Sequence, residues 1–236
     1  MITLYDTPSR FRPLIDFGAI VALGYVLKVV LDQFIWRYSG PVSLSIMLSV
    51  IFFYVRSMGE SWSWIGLVEI KSRKGFALLP FQVLIVFFAI LLTGFILNWA
   101  GGALGLDFMK PDKSGAENRF GDVAGNTQLY VFWLAIVWFA GPAEELYFRG
   151  FMIGKLQETF GTSIGATILS IVVPALIFGL GHVYYLGLRG LVMTGGIAVS
   201  LGVLYIMYKR NIWPLMIAHA AANSLTFTAV YLQLDA

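Results

Sequence analysis

Cysteine is absent from this 236-residue chain. Its absence excludes a disulfide framework, a thiolate nucleophile and a cysteine zinc cage. Charge is scarce as well, at 12% of residues, about half the ~25% of soluble domains. With 58% hydrophobic residues and a mean hydropathy of +0.80, that scarcity places the chain among polytopic membrane proteins. No block of like charges occurs and the formal net charge is only +3, so the sequence offers no nucleic-acid patch. Its basic residues read as topology signals instead. Several membrane and nucleotide chemistries are also missing. There is no His-Glu-x-x-His zinc motif, no Gly-x-Ser-Gly elbow, no Gly-x-Gly-Asp aspartyl motif and no phosphate loop. The polar start, Met1 to Pro13, leads into an apolar stretch too long for a signal-peptide core, so no cleaved signal is expected.

What is present is a series of apolar segments. They run from Leu14 to Trp36, Val42 to Val55, Gly75 to Trp99, Thr127 to Phe160, Gly161 to Val183, Leu186 to Tyr208 and Ile212 to Leu232. The expectation is an all-α, polytopic bundle of about seven transmembrane helices with its active site inside the bundle. Within the first segment Lys28 and Asp32 are four apart and can pair. Trp62 and Trp64 beside Lys71, Arg73 and Lys74 predict either a segment lying at the membrane surface or an ordinary connection. Ala100 to Asn126, rich in Gly, Pro, Asp, Lys and Asn, is expected to be the one long extramembrane loop. Thr127 to Phe160 is too long for one straight span and predicts a helix bent near Gly141-Pro142. The segment from Leu186 is rich in small residues that allow close helix packing. The division expected is residues 1–126, the N-terminal spans and polar loop, and 127–236, a catalytic core, within a single membrane domain. Lysine and arginine number ten on the side of the N-terminus against five on the other, or nine to five without Arg149. That bias predicts a cytoplasmic N-terminus, and the expected location is the cell membrane.

Charge that does occur inside an apolar run is costly, about 2.5–3.5 kcal/mol per residue on insertion scales, and needs a reason. Glu144, Glu145 and Arg149 lie together in such a run. Glu145 and Arg149 are four apart, acid first, which favours an ion pair on one helical face. Glu144 points about 100° away from Glu145 and has no base four residues on, so it is left as a carboxylate suited to proton transfer. Both histidines of the chain, His182 and His219, lie in apolar segments, four residues after Phe178 and four before Asn223 respectively. At ~1.5 Å per residue, His219 sits roughly 13 Å and Glu144 roughly 16 Å from the cytoplasmic side, with His182 deeper. These residues can therefore converge in the cytoplasmic half of the membrane. Taken singly, each is commonly an interhelical hydrogen bond or core packing; taken jointly, they point to chemistry. Two schemes remain open. One is a zinc site of two histidines and a carboxylate. The other is metal-free: Glu144 with His182 activates water while His219 and Asn223 stabilise an oxyanion.

Glu144-Glu145-x-x-x-Arg149, Phe178-x-x-x-His182 and His219-x-x-x-Asn223, in this order on successive apolar segments, resemble the CPBP family. This family comprises the CAAX prenyl endopeptidases and bacteriocin-processing (Abi) intramembrane proteases. The resemblance spans Trp133 to Thr228 and includes the Phe-Arg-Gly after the Glu pair; a Trp-Ile-Gly-Leu stretch at Trp64 is similar to what often precedes the third span. It implies an intramembrane endopeptidase acting on a membrane-associated peptide or protein, prenylated or not. Glu144 would be the general base, assisted by His182. Glu145 and Arg149 would hold the helix geometry. His219 and Asn223 would bind the oxyanion, or Glu144, His182 and His219 would share Zn2+. Two other classes compete. A non-catalytic scaffold of the same fold predicts loss of a motif residue, and none is lost. A small-solute or proton-coupled transporter predicts inverted repeats, and the halves show no internal symmetry.

Overall fold

A computed structural model describes residues 11–111 and 114–234 of the chain. Arg10 and Lys113, counted above for orientation, lie outside the described residues. All regular structure among the described residues is helical. Helix α1 spans Arg12–Ile35, α2 Ser39–Ser57, α3 Arg73–Ala103, α4 Ser114–Phe120 and α5 Thr127–Glu144. A π-helical stretch, Glu145–Ile153, continues α5 without a break into α6, Gly154–Phe160. Helices α7, Ile164–Leu180, α8, Val183–Met207, and α9, Trp213–Tyr231, complete the chain. Every apolar segment read from the sequence is thus a helix. Five stretches, α1, α2, α3, α5–α6 and α8, are long and apolar enough to cross a membrane, whereas α7 is apolar but only 17 residues long. The fold is that of a polytopic helical membrane bundle.

Helix starts follow local chemistry. Ser72, Asn126 and Ser163 accept from the backbone N–H groups of Gly75, Leu129 and Ala166, capping α3, α5 and α7. Ser39, Gly40 and Pro41 form the first turn of α2, where a proline costs no hydrogen bond. The second span is therefore 19 residues, longer than its sequence suggested.

One expectation from the sequence is corrected. The stretch from Ala100 to Asn126 is not one open loop: α3 runs on to Ala103, a 3-10 turn covers Asp107–Met109, and α4 follows. Docking holds it in place, since Trp133 donates to the Phe120 carbonyl and the Phe120 ring meets Trp133, Tyr185 and Phe227. Trp62–Ile65, in the connection between α2 and α3, is a 3-10 turn pinned to the bundle. Arg210 donates to the Trp64 carbonyl, Trp213 to the Val68 carbonyl, and Trp64 to Glu158. Helix α5 passes through Gly141 and Pro142 without interruption, and its irregularity is the π-helical stretch that begins at Glu145.

That stretch lies at the junction of the two halves of the core. Phe151, Met152 and Tyr147 pack against Phe17, Ile20, Met47 and Ile51 of α1 and α2, and Ile153 packs with Leu201, Tyr205 and Leu215 of α8 and α9. The motif-bearing turn is thus clamped between the N-terminal helices and α7–α9.

Candidate active site

The geometry starts from how closely α5 approaches α9. Gly141 has no side chain, and a Cβ there would stand 3.2 Å from the Ala220 nitrogen. A small residue at such a crossing lets two helices meet nearly backbone to backbone. One turn beyond Gly141, Glu144 and Glu145 therefore arrive beside His219, the neighbour of Ala220. Pro142 has no N–H to give the preceding turn, and the helix widens to π geometry at Glu145. A wider turn separates successive side chains by less than the ~100° of an α-helix. Both glutamates consequently reach the same imidazole. Glu144, read from the sequence as pointing about 100° away from Glu145, thus comes within 3.6 Å of the same ring without a direct hydrogen bond to it.

Glu145 is fully buried and Arg149 is 2% exposed. Arg149 Nη1 donates to Glu145 Oε1 at 2.9 Å, and His219 Nδ1 donates to the same oxygen at 2.7 Å. Arg149 also donates to the Ala198 carbonyl at 3.4 Å and lies 5.2 Å from the Phe178 ring centre. Glu145 Oε2 is buried and has no partner among the described residues. On the other side of the imidazole, Nε2 stands 3.6 Å from Glu144 Oε2. That gap exceeds a direct hydrogen bond, so the oxygen and the nitrogen are both left to engage a third group.

His182 enters from the turn between α7 and α8, just past the end of α7 at Leu180. Its Nδ1 lies 2.8 Å from the Phe178 carbonyl oxygen. A carbonyl only accepts, so Nδ1 carries the proton and Nε2 keeps its lone pair. Phe178 links the two histidines: its ring centre is 4.6 Å from that of His182 and 6.4 Å from that of His219. Asn223 follows His219 by one turn of α9, half-buried, and its amide makes no hydrogen bond among the described residues.

The structure thus brings Glu144, Glu145, Arg149 and His219 into one network, joins His182 to it through Phe178, and leaves Asn223 one turn along. It does not gather Glu144, His182 and His219 as a ligand set. Among the described residues no three His, Asp or Glu side chains are grouped as metal ligands would be. The described side chains as they stand do not fit the three-ligand zinc site.

Sequence reasoning did not single out the aromatic and cationic groups around His182. The His182 and Tyr185 ring centres are 5.8 Å apart. The Arg119 guanidinium carbon lies 5.8 Å from the Tyr185 ring centre. The Tyr184-Tyr185 pair, two and three residues after an intramembrane histidine, was the available signal.

Residues 126–225 match a family model described as type II CAAX prenyl endopeptidase Rce1-like. No curated protein and no solved structure matches the chain.

Proposed function

We propose that this chain, which carries an Rce1-like, CAAX-type protease domain of the CPBP family over residues 126–225, hydrolyses a peptide bond within the membrane with Glu144 as general base. The observation that carries this reading is the unequal partnering of two adjacent carboxylates. Glu145 is committed to Arg149 and His219, whereas Glu144, 3.6 Å from His219 Nε2, has no direct hydrogen bond among the described residues. Only Glu144 is free to take a proton.

Water attacks the scissile carbonyl carbon as Glu144 accepts one of its protons. His182, with Nδ1–H held by Phe178, offers the Nε2 lone pair to orient that water. The tetrahedral oxyanion is met from α9: His219, fixed through Nδ1–H to Glu145, donates from Nε2 in its imidazolium form, and Asn223 donates from its amide. Collapse of the intermediate breaks the C–N bond, and the proton held by Glu144 passes to the leaving amine. Arg149 keeps the Glu145 carboxylate charged and in place, and through it the His219 ring. The substrate is a membrane-associated peptide or protein, prenylated or not. The N-terminus is cytoplasmic and the host bilayer is the cell membrane.

The test is cleavage of a quenched fluorescent prenylated peptide by detergent-purified wild type and Glu144→Gln, each with and without a strong chelator. Loss of a positioned general base costs about 10²–10⁴-fold in kcat, and the chelator is expected to change nothing. A folded Glu144→Gln protein with wild-type activity refutes the assignment of the base, and chelator-sensitive wild type refutes the metal-free scheme.

A further inference from the structure

Glu144, Glu145, Arg149, His219 and Asn223 all sit on helical turns, whereas His182 stands in the turn between α7 and α8. Gly187, with φ 59°, breaks α8 soon afterwards. The His182 carbonyl lies close to Gly190 and accepts from the Leu186 N–H. These contacts fix the backbone and leave the ring free to turn. The imidazole itself has one hydrogen bond among the described residues, to the Phe178 carbonyl. Orienting a water needs more than one tether, because misplacement by about 1 Å can cost 10²-fold in rate.

Tyr185 supplies a second one. It lies on the first turn of α8, before the break, with its ring centre 5.8 Å from that of His182. Tyr185 is held in its turn by α4. The Phe120 ring meets it edge-on at 5.8 Å, and the Arg119 guanidinium carbon is 5.8 Å from its centre. A Cβ at Gly115 would overlap the Tyr185 carbonyl oxygen, so the two backbones touch. A helix of seven residues, such as α4, is far below the ~12–15 needed for stability alone. Its place is therefore set by tertiary anchors. Arg119, 4% exposed, donates to the Trp36 carbonyl at the end of α1. Phe120 packs on Trp133 of α5 at 5.0 Å and on Phe227 of α9 at 5.2 Å. Helix α5 carries Glu144, and α9 carries His219 and Asn223. One side chain of α4 thus touches both of those helices and the residue beside His182.

Resting on the protease reading above, we infer that Tyr185 is a positioning residue for His182 and that α4 is the strap that holds it. The strap lies outside residues 126–225, the stretch that matches the family model. Phe120 keeps Tyr185 in register with the helices of Glu144 and His219. Tyr185 keeps the imidazole from turning away from the attacking water. The ring does this rather than the hydroxyl, since the ring is what His182, Phe120 and Arg119 meet.

The test separates kcat from KM on a quenched fluorescent peptide for wild type, Tyr185→Ala, Tyr185→Phe and Gly115→Ala in detergent. A misplaced His182 ring lowers kcat by about tenfold to a hundredfold and leaves KM unchanged. Tyr185→Ala and Gly115→Ala should both show this loss, although Gly115 meets only Tyr185. Tyr185→Phe, which restores the ring, should rescue kcat. Wild-type kcat in Tyr185→Ala overturns the proposal. So does a Tyr185→Phe variant as slow as Tyr185→Ala, since the hydroxyl would then be the acting group. A second measurement needs no activity. The chain has two histidines, so nitrogen NMR gives one set of ring signals for each, assigned by their loss in His182→Gln and His219→Gln. His182 should be the single Nδ1–H tautomer in wild type and Tyr185→Phe, and a mixture of tautomers in Tyr185→Ala and Gly115→Ala. Unchanged His219 signals report an intact fold. A single His182 tautomer in all four proteins overturns the strap. If wild type cuts no peptide, the protease reading fails, and the tautomer measurement alone decides the role of Tyr185 and α4.

Discussion

Glu144 and Glu145 are neighbours of the same chemical type with opposite employment. Glu145 is sealed in the core and bonded to Arg149 and His219. Glu144 keeps 20% of its side chain exposed and lies beyond direct bonding distance of His219. Neutralising Glu145 leaves the Arg149 guanidinium buried without a carboxylate, a change that costs about 3–5 kcal/mol. Neutralising Glu144 breaks no ion pair of that kind, and the shift should stay within about 1 kcal/mol. Glu145→Gln is therefore expected to lose most of its thermal stability in detergent, and Glu144→Gln is expected to melt like wild type while inactive. Equal melting shifts for the two would contradict the division of labour. The Glu145–Arg149 pair was legible in the sequence because i, i+4 spacing is a local rule. The bond from His219 to Glu145 was not. It depends on the α5–α9 crossing at Gly141 and on a π-helical turn, neither of which leaves a periodic trace in composition.

Among the elements, the turn from α7 into α8 decides where His182 stands. Gly187 lies four residues after the start of α8 with φ 59° and ψ −156°, a backbone region essentially closed to residues with a Cβ. The first turn of α8, which carries Tyr184 and Tyr185, is thereby offset from the rest of the helix. The sequence-derived start of this span at Leu186 fell next to the break, because apolar periodicity resumes only beyond it. Gly187→Ala forces the strained conformation or straightens the helix, and either costs about 1–3 kcal/mol. The expected result is a lower melting temperature together with a fall in kcat/KM, since the turn that holds His182 must shift. A variant with unchanged stability and activity would show that the offset is dispensable. The loop before α5 illustrates the opposite limit of legibility. Its Gly, Pro and polar content reads as irregular, yet α4 is held there by Arg119 on Trp36, 83 residues away, and by Trp133 on Phe120, 13 residues away.

The molecule as a whole has two ends that its contacts distinguish. At one, Trp64, Glu158, Arg210 and Val68 tie the 3-10 turn to α6 and to the α8–α9 connection. At the other, α4 packs near Trp36 and Tyr185, and the Gly125 backbone bonds the Tyr231 carbonyl. Seven apolar segments and their order were readable because bilayer thickness sets segment length. The sidedness rests only on the lysine and arginine bias, nine to five once the buried Arg149 is set aside. The absence of cysteine makes that sidedness directly testable, since any thiol introduced is the only one present. Ser61, at the first end, and Glu117, at the second, are both exposed. With the N-terminus in the cytoplasm, α1 and α2 return the chain to the cytoplasmic side at Ser61, and α3 carries it across to α4. A membrane-impermeant maleimide should therefore label Glu117→Cys in intact cells and Ser61→Cys only after permeabilisation. The reverse pattern would invert the molecule in the bilayer, and labelling of both in intact cells would mean that α3 does not cross. In the expected orientation the His182 turn and Arg119 lie towards the outer face while Lys155 and Arg210 lie towards the cytoplasm.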